Sequence, residues 1–253
     1  MIPLAPDAEL SGKAIRAAFH EQWPDLPKPV KGESKDGILA FDVGDVTAMI
    51  AVMPAPIPWS DLEGPCETSW LWPDATDTLR EHTDHLIVTV MGDDDPIERA
   101  KILTRVCAAV LATCEEALGV YWGDAALVNS SKLFQAFTYE ILGEGGLPLY
   151  LWIDFRVGPT DDGGTAGFTH GLAALGHREF ETETSTDGIG ELRERFFGLA
   201  TYVLENGPVI KDGNTVGGDE HEKIRVELAP SAFGNPKRVL RLEYESGKKK
   251  KRR

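Results

Sequence analysis

The residues best suited to chemistry are a handful of histidines and carboxylates. His82 and His85, with Asp84 between them and Asp93-Asp94-Asp95 following, are metal-ligand types. Two histidines at i, i+3 chelate an ion when both lie on one helix face. Here His85 opens a strand-like apolar run and Asp95 stands where a helix cap belongs, so a solvated loop is expected and no metal site. His170 and His177 flank the segment Gly171 to Gly176, with Glu179 close behind. A histidine beside a glutamate can carry out acid–base work. The same string also suits a bent strand where backbone approaches backbone, with its histidines hydrogen-bonded structurally. Glu179, Glu181 and Glu183 alternate, and on a strand they project from one face. Like charges there need solvent or a basic partner.

Other chemistry-bearing types lack their context. Gly163-Gly164 and Gly217-Gly218 sit among aspartates and match no phosphate-loop spacing. Ser60, Ser69 and Ser130-Ser131 lack the strand-to-helix elbow of a serine nucleophile. Cys66 lies beside Glu67, whose charge disfavours a thiolate. No cofactor is expected. The remaining candidate is a tryptophan-rich stretch, Trp59, Trp70 and Trp72, punctuated by proline and glycine. Such a stretch either forms a rigid contact surface, where tryptophan is enriched, or closes one end of a core.

Composition limits the class. The chain has 253 residues, 42% hydrophobic and 26% charged, which suits one large or two small globular domains. No apolar run approaches the ~18 residues of a membrane span. The first seven residues lack a basic start and an apolar stretch, so no secretory signal is expected. Cys107 and Cys114 read as two helical turns apart, about 10 Å, too far for a disulfide. Three reduced cysteines fit the cytoplasm. The net charge is −15, and the last six residues, Lys248 to Arg253, are all basic, so the body carries −15 − 6 = −21. That body repels nucleic acid and anionic membrane and attracts basic partners. The tail reads as a disordered solubilising end.

Elements must position these residues. A helix is expected from Ala8 to Trp23, with Ile15, Phe19 and Trp23 on one face. Strands follow over Gly37 to Val43 and Val46 to Pro54, joined at Gly44-Asp45, the second apolar on both faces and so central. Three prolines at 54, 56 and 58 stop it. An irregular segment to Trp72, a short helix over Asp74 to Glu81 and a strand from His85 to Met91 come next. The strongest helix has Asp95 as cap, Pro96 at its first position and Glu98 at its third, and Gly119 reads as its end. Asp124 to Leu142 reads as partly helical. Leu149 to Val157 alternates with period two and reads as a strand. Extended segments over Ala166 to Leu175 and Glu179 to Thr184, a helix from Gly188 to Glu205 and strands over Ile224 to Leu228 and Val239 to Tyr244 complete the chain. The expected class is α+β, with largely antiparallel sheet and helices on one side. The expected division is 1–145, 146–247 and the tail 248–253, the two halves possible relatives of each other.

Two strings carry a family resemblance. Met53-Pro54-Ala55-Pro56-Ile57-Pro58-Trp59-Ser60-Asp61-Leu62-Glu63-Gly64-Pro65 resembles a bacterial domain of unknown function, DUF4261. Gly167 to Glu181, with Gly176-His177-Arg178-Glu179 within it, is similar to the C-terminal signature of that family. The resemblance spans about residues 37 to 205. It implies an association with secreted toxins, and it transfers no catalytic residues to this chain.

Three readings stand. The first is an acidic interaction protein, an immunity-type inhibitor that neutralises a basic toxin, with Trp59, Trp70, Trp72, Glu179, Glu181 and Glu183 as partner contacts. The second is a hydrolase-like enzyme around His170, His177 and Glu179. The third is an adaptor module in a bacterial assembly.

Overall fold

A computed structural model describes residues 1–32, 37–92, 95–217 and 222–244. The tail Lys248 to Arg253, the pair Asp93-Asp94 and Gly218 lie outside the described residues. The class is α+β, and the chain divides into two units, Met1–Trp152 and Ile153–Arg253.

In the first unit, β1 (Ile2–Leu4), β2 (Val30–Lys31), β3 (Ile38–Val43), β4 (Val46–Met53) and β5 (Asp84–Met91) form an antiparallel sheet in the order β1-β5-β4-β3-β2. The doubly apolar β4 is its middle strand. Gly44, at φ +62°, makes the β3–β4 turn that a side chain would strain. Two helices cover one face: α1 (Gly12–Gln22) packs on β3, and α4 (Pro96–Leu111) packs on β5. Phe19 of α1 meets Phe41 of β3 edge-on at 6.4 Å. The opposite face aligns Thr47, Met49, Ala51 and Met53 of β4 with Met91, Thr89, Ile87 and His85 of β5. Ile38, Ala40 and Asp42 of β3 continue those rows. Met91 is 55% exposed there, and Ile38, Met53 and Ile87 are also exposed.

Between β4 and β5 the expectation of an irregular segment fails. Trp59–Glu67 is helical (α2) and is followed by α3 (Ala75–Arg80). Pro65 inside α2 cannot supply a backbone hydrogen bond. The helix forms because Leu62 and Cys66, one turn apart, both bury against Ile57, Trp72 and Leu79. Helix α4 also departs from expectation. Asp95 Oδ1 accepts the Ile97 and Glu98 amides at 2.8 and 3.4 Å, as a cap should. The helix ends at Leu111, well before Gly119. Acidic Glu115 and Glu116 disfavour a negative helix end, and Thr113 donates back to the Ala109 carbonyl at 2.9 Å. Gly119 instead opens β6 (Gly119–Trp122), paired with β7 (Leu127–Ser130). A Cβ at Gly119 would collide with the Asn129 carbonyl and lie 2.9 Å from the Trp72 ring. Helix α5 (Ser131–Phe137) and a π-helical turn Thr138–Leu142 follow.

The strand expected over Leu149 to Val157 is half a helix. Leu149–Trp152 forms a turn, α6, and β8 begins at Asp154. Every position from Leu151 to Phe155 is buried, so no period-two face exists to select a strand. In α6 the Trp152 indole donates to Thr104 Oγ1 at 2.7 Å, and that hydroxyl donates to the Ala100 carbonyl at 2.7 Å.

The second unit contains β8 (Asp154–Pro159), β9 (Thr165–His170), β10 (Phe180–Ser185), α7 (Ile189–Asn206), β11 (Thr215–Val216), β12 (Ile224–Ala229) and β13 (Val239–Glu243). Its sheet runs β11-β12-β13-β10-β9-β8, with β10 and β13 parallel and the other pairs antiparallel. Strand β9 stops at His170, and Gly171 to Gly176 turns rather than extending to Leu175. Helix α7 packs on β8 and β9 and buries Leu192, Phe196 and Val203, while Ile189 is exposed. The other face carries a row across five strands: Arg156, Phe168, Glu181, Arg241 and Glu227. The two sheets share no strand order.

Replacing Asp95 by alanine should destabilise the protein by about 1 kcal/mol through loss of the cap. Urea denaturation checks this, with an unchanged midpoint as the contrary result.

Candidate functional site

The expected acidic face on β10 does not exist as drawn. Glu179, just before the strand, and Glu181, on it, are 3% and 1% exposed. Glu179 Oε1 accepts the amides of Gly171 and Ala173 at 3.0 and 2.9 Å, and Oε2 accepts the Thr169 hydroxyl at 2.7 Å. Glu181 Oε2 accepts Ser231 Oγ–H at 2.8 Å, and Oε1 accepts the Ala232 amide at 3.0 Å and Arg241 Nη2 at 3.3 Å. Only Glu183 is exposed, paired with Arg241 Nη1 at 3.2 Å. Alternation correctly placed Glu181 and Glu183 on one face. It could not reveal that the β12–β13 connection supplies Ser231 and Ala232 to cover the first of them. A buried carboxylate is tolerable when its oxygens are filled by donors, as here.

The His170, His177 and Glu179 constellation also separates. His170 and Glu179 line a cavity of about 180 Å³ with Phe168, Glu181, Ser231 and Phe233. His170 is exposed at its edge. His177 lines a different cleft, beyond the Gly171–Gly176 turn. Its burial holds its pKa below the ordinary histidine value. Both Glu179 oxygens are occupied by structural donors, so the carboxylate has a loop-clamping role that the sequence motif did not announce.

His82 and His85 are buried at one end of the first unit's sheet. His82 Nε2 accepts the Ile57 amide at 2.8 Å and Nδ1 donates to the Leu79 carbonyl. His85 Nδ1 donates to the Ala55 carbonyl at 2.7 Å. Both histidines thus bind backbone of the proline-rich string and its neighbours, and Asp95 serves as a cap. Burial pushes the Cys66 thiol up to about 11, with Arg80 lowering it and Glu67 raising it. Burial pushes Cys107 up to about 12.

The three tryptophans take three roles. Trp72 belongs to the core with Ile57, Leu62 and Leu79. Trp59 is half-buried, with Arg80 stacked over its ring at 4.2 Å and its indole donating to Glu63 at 3.2 Å. Trp70 is 46% exposed and meets Tyr150 edge-on at 5.6 Å. Around it, every acid between Trp59 and Glu81 is exposed: Asp61, Glu63, Glu67, Asp74, Asp77 and Glu81. Against these six stands one base, Arg80, a local charge of −6 + 1 = −5. Sequence reading noticed the rings and missed the acids. They become a surface only once α2 and α3 turn Leu62, Cys66, Ala75 and Leu79 inward.

Two measurements test these assignments. Glu179→Ala orphans the buried Gly171 amide and the buried Thr169 hydroxyl and should cost about 3 kcal/mol, whereas Glu183→Ala should change stability by less than about 0.5 kcal/mol. Equal urea midpoints for the two variants would contradict the burial argument. The three buried thiols should resist iodoacetamide at pH 8 in folded protein and all react in urea, as mass spectrometry would report.

Searches of curated proteins and of solved structures found no match to the chain. Among the described residues, no helix is long and apolar enough to cross a membrane. The string Met53 to Pro65 lies outside the one family match. That match covers β9 from Phe168, the turn with His177, the clamping Glu179, α7 and the strands to Glu243: residues 168–243, under a third of the chain, match the model of DUF4261, a domain of unknown function.

Proposed function

We propose that this chain is an interaction protein that binds a basic protein through its α2–α3 surface, as an immunity-type inhibitor of a basic toxin would. One observation carries the reading: an exposed tryptophan, Trp70, lies in a stretch from Trp59 to Glu81 whose six acids are all exposed, with one base among them. Surfaces of this kind combine a field that speeds encounter with an aromatic that holds the complex. The net charge of −15 extends the field beyond the contact itself. Glu179 and Glu181 do not serve as the rim in this reading, because both are buried. Trp59 contributes as a ring braced by Arg80, and Trp72 supports from the core. Three free cysteines fit a reducing compartment, and we place the protein in the cytoplasm on that basis.

The partner is to be sought by pull-down from the native host and then studied by surface binding kinetics. Raising salt shortens the Debye length to about 8 Å at physiological ionic strength, so the on-rate should fall while the off-rate changes less. Neutralising Asp61, Glu63 and Glu67 as amides should slow association without unfolding the protein. Trp70→Ala should instead speed dissociation, by roughly tenfold or more for a desolvated anchor. An acidic tightest partner, or an on-rate indifferent to salt, would overturn the reading.

A further inference from the structure

A cleft of about 650 Å³ opens in the second unit between the turn after β9, the segment following α7 and strands β12 and β13. Its floor is apolar, made by Val203, Ile210, Leu228 and Leu240. Its rim has the opposite sign to the rest of the chain. Arg178, Lys211 and Lys237 line it against one carboxylate, Asp212, a balance of +3 − 1 = +2 on a chain of −15. Asp212 Oδ1 is engaged by the Leu228 amide at 2.8 Å. Arg178 donates one nitrogen to the Arg238 carbonyl at 3.0 Å. Lys211 and Lys237 are exposed and form no ion pair among the described residues. His177 lines the same cleft, and its Nδ1 is buried with no hydrogen-bond partner among the described residues.

The turn that presents His177 is fixed. Glu179 binds the Gly171 and Ala173 amides, and the His177 amide donates to the Leu172 carbonyl at 2.9 Å. The string Gly176-His177-Arg178-Glu179 therefore builds one wall: Glu179 holds the loop while His177 and Arg178 face the cleft. An apolar floor inside a positive rim selects a ligand with an apolar body and a negative end. The cleft lies within the ~300–1,000 Å³ range of small-molecule sites.

We propose that this cleft binds a small amphipathic anion, a carboxylate on an apolar body. The body lies on the floor and the carboxylate meets Lys211 and Lys237. A monoanion fits better than a phosphate. Phosphate sites draw on several arginine forks or converging backbone amides, whereas this rim has one arginine, which already donates to the Arg238 carbonyl. The site is independent of the α2–α3 surface, so its failure would leave that reading intact.

The experiment uses the full chain, isotope-labelled, with octanoate as probe and octanol and octylammonium as controls. Octanoate should saturably shift the amides of residues 173–178 and 209–212 in two-dimensional NMR spectra, together with the His177 ring nitrogens. Octanol should bind at least roughly tenfold more weakly, and octylammonium should leave these signals unmoved. The double variant Lys211→Gln, Lys237→Gln should weaken octanoate roughly tenfold while leaving octanol unchanged, with its undisturbed spectrum reporting the fold. Octanol binding as tightly as octanoate, shifts confined to other residues, no saturation up to millimolar concentration, or full octanoate affinity in the double variant would each overturn the proposal.

Discussion

A carboxylate removed from water must find donors for its oxygens, and in the second unit this requirement organises everything around β10. Glu179 draws in the Thr169 hydroxyl from β9 and two amides of the following turn. Glu181 draws in Ser231 and Ala232 from the connection between β12 and β13. Thr169 Oγ1 also accepts the Phe180 amide at 2.9 Å, which stitches β9 to β10 where the strands begin to part. Two acidic side chains thus fix two loops, one on each side of a single strand. The walls of both the small cavity at His170 and the larger cleft at His177 follow from where those loops are held. Hydrogen bonds to ionised groups are the stronger kind, which is why carboxylates rather than hydroxyls occupy these two positions.

The first unit solves a similar problem with neutral groups. Three prolines end β4, and the chain must then cross to α2 with few amides of its own to offer. His82 and His85 reach back to that crossing, one accepting from Ile57 and the other donating to Ala55. Deeper in, Thr104 relays a hydrogen bond from the Trp152 indole to a helix carbonyl. At these positions the buried polar atoms bond groups of the complementary kind. The resulting surfaces differ accordingly. The second unit's sheet shows ion pairs on its open face, whereas the first unit's shows apolar side chains.

The sequence revealed most where local rules act alone. The α1 face, the β3–β4 hairpin at Gly44, the cap at Asp95 and the alternation of β12 each depend on residues within one turn or one pair of strands. It misled where distant residues decide. Leu149 to Val157 alternates well enough to look like a strand, but burial on all sides from Leu151 to Phe155 lets the first part coil. Gly119 looks like a helix stop and is instead a point where β6 passes against Asn129 and Trp72. Glu179 and Glu181 look like solvent-facing charges because their donors lie between 6 and 60 positions away in the chain. The acidic surface of α2 and α3 went unseen for the opposite reason. Its residues are close in sequence, but only a helix through Pro65 sorts them from Leu62 and Cys66.

Three of the chain's four methionines, Met49, Met53 and Met91, lie on the open face of the first unit's sheet. A thioether is readily converted by peroxide to a sulfoxide, which is polar, chiral and a good hydrogen-bond acceptor. Because Phe41, Ala48, Ile50 and Val88 fill the opposite face, that conversion would alter the skin of the sheet and leave its packed side untouched. The same backbone would then present a wettable surface in place of an oily one. The change is reversible by reductases, so oxidation on this face would be a surface event rather than damage to the packed core.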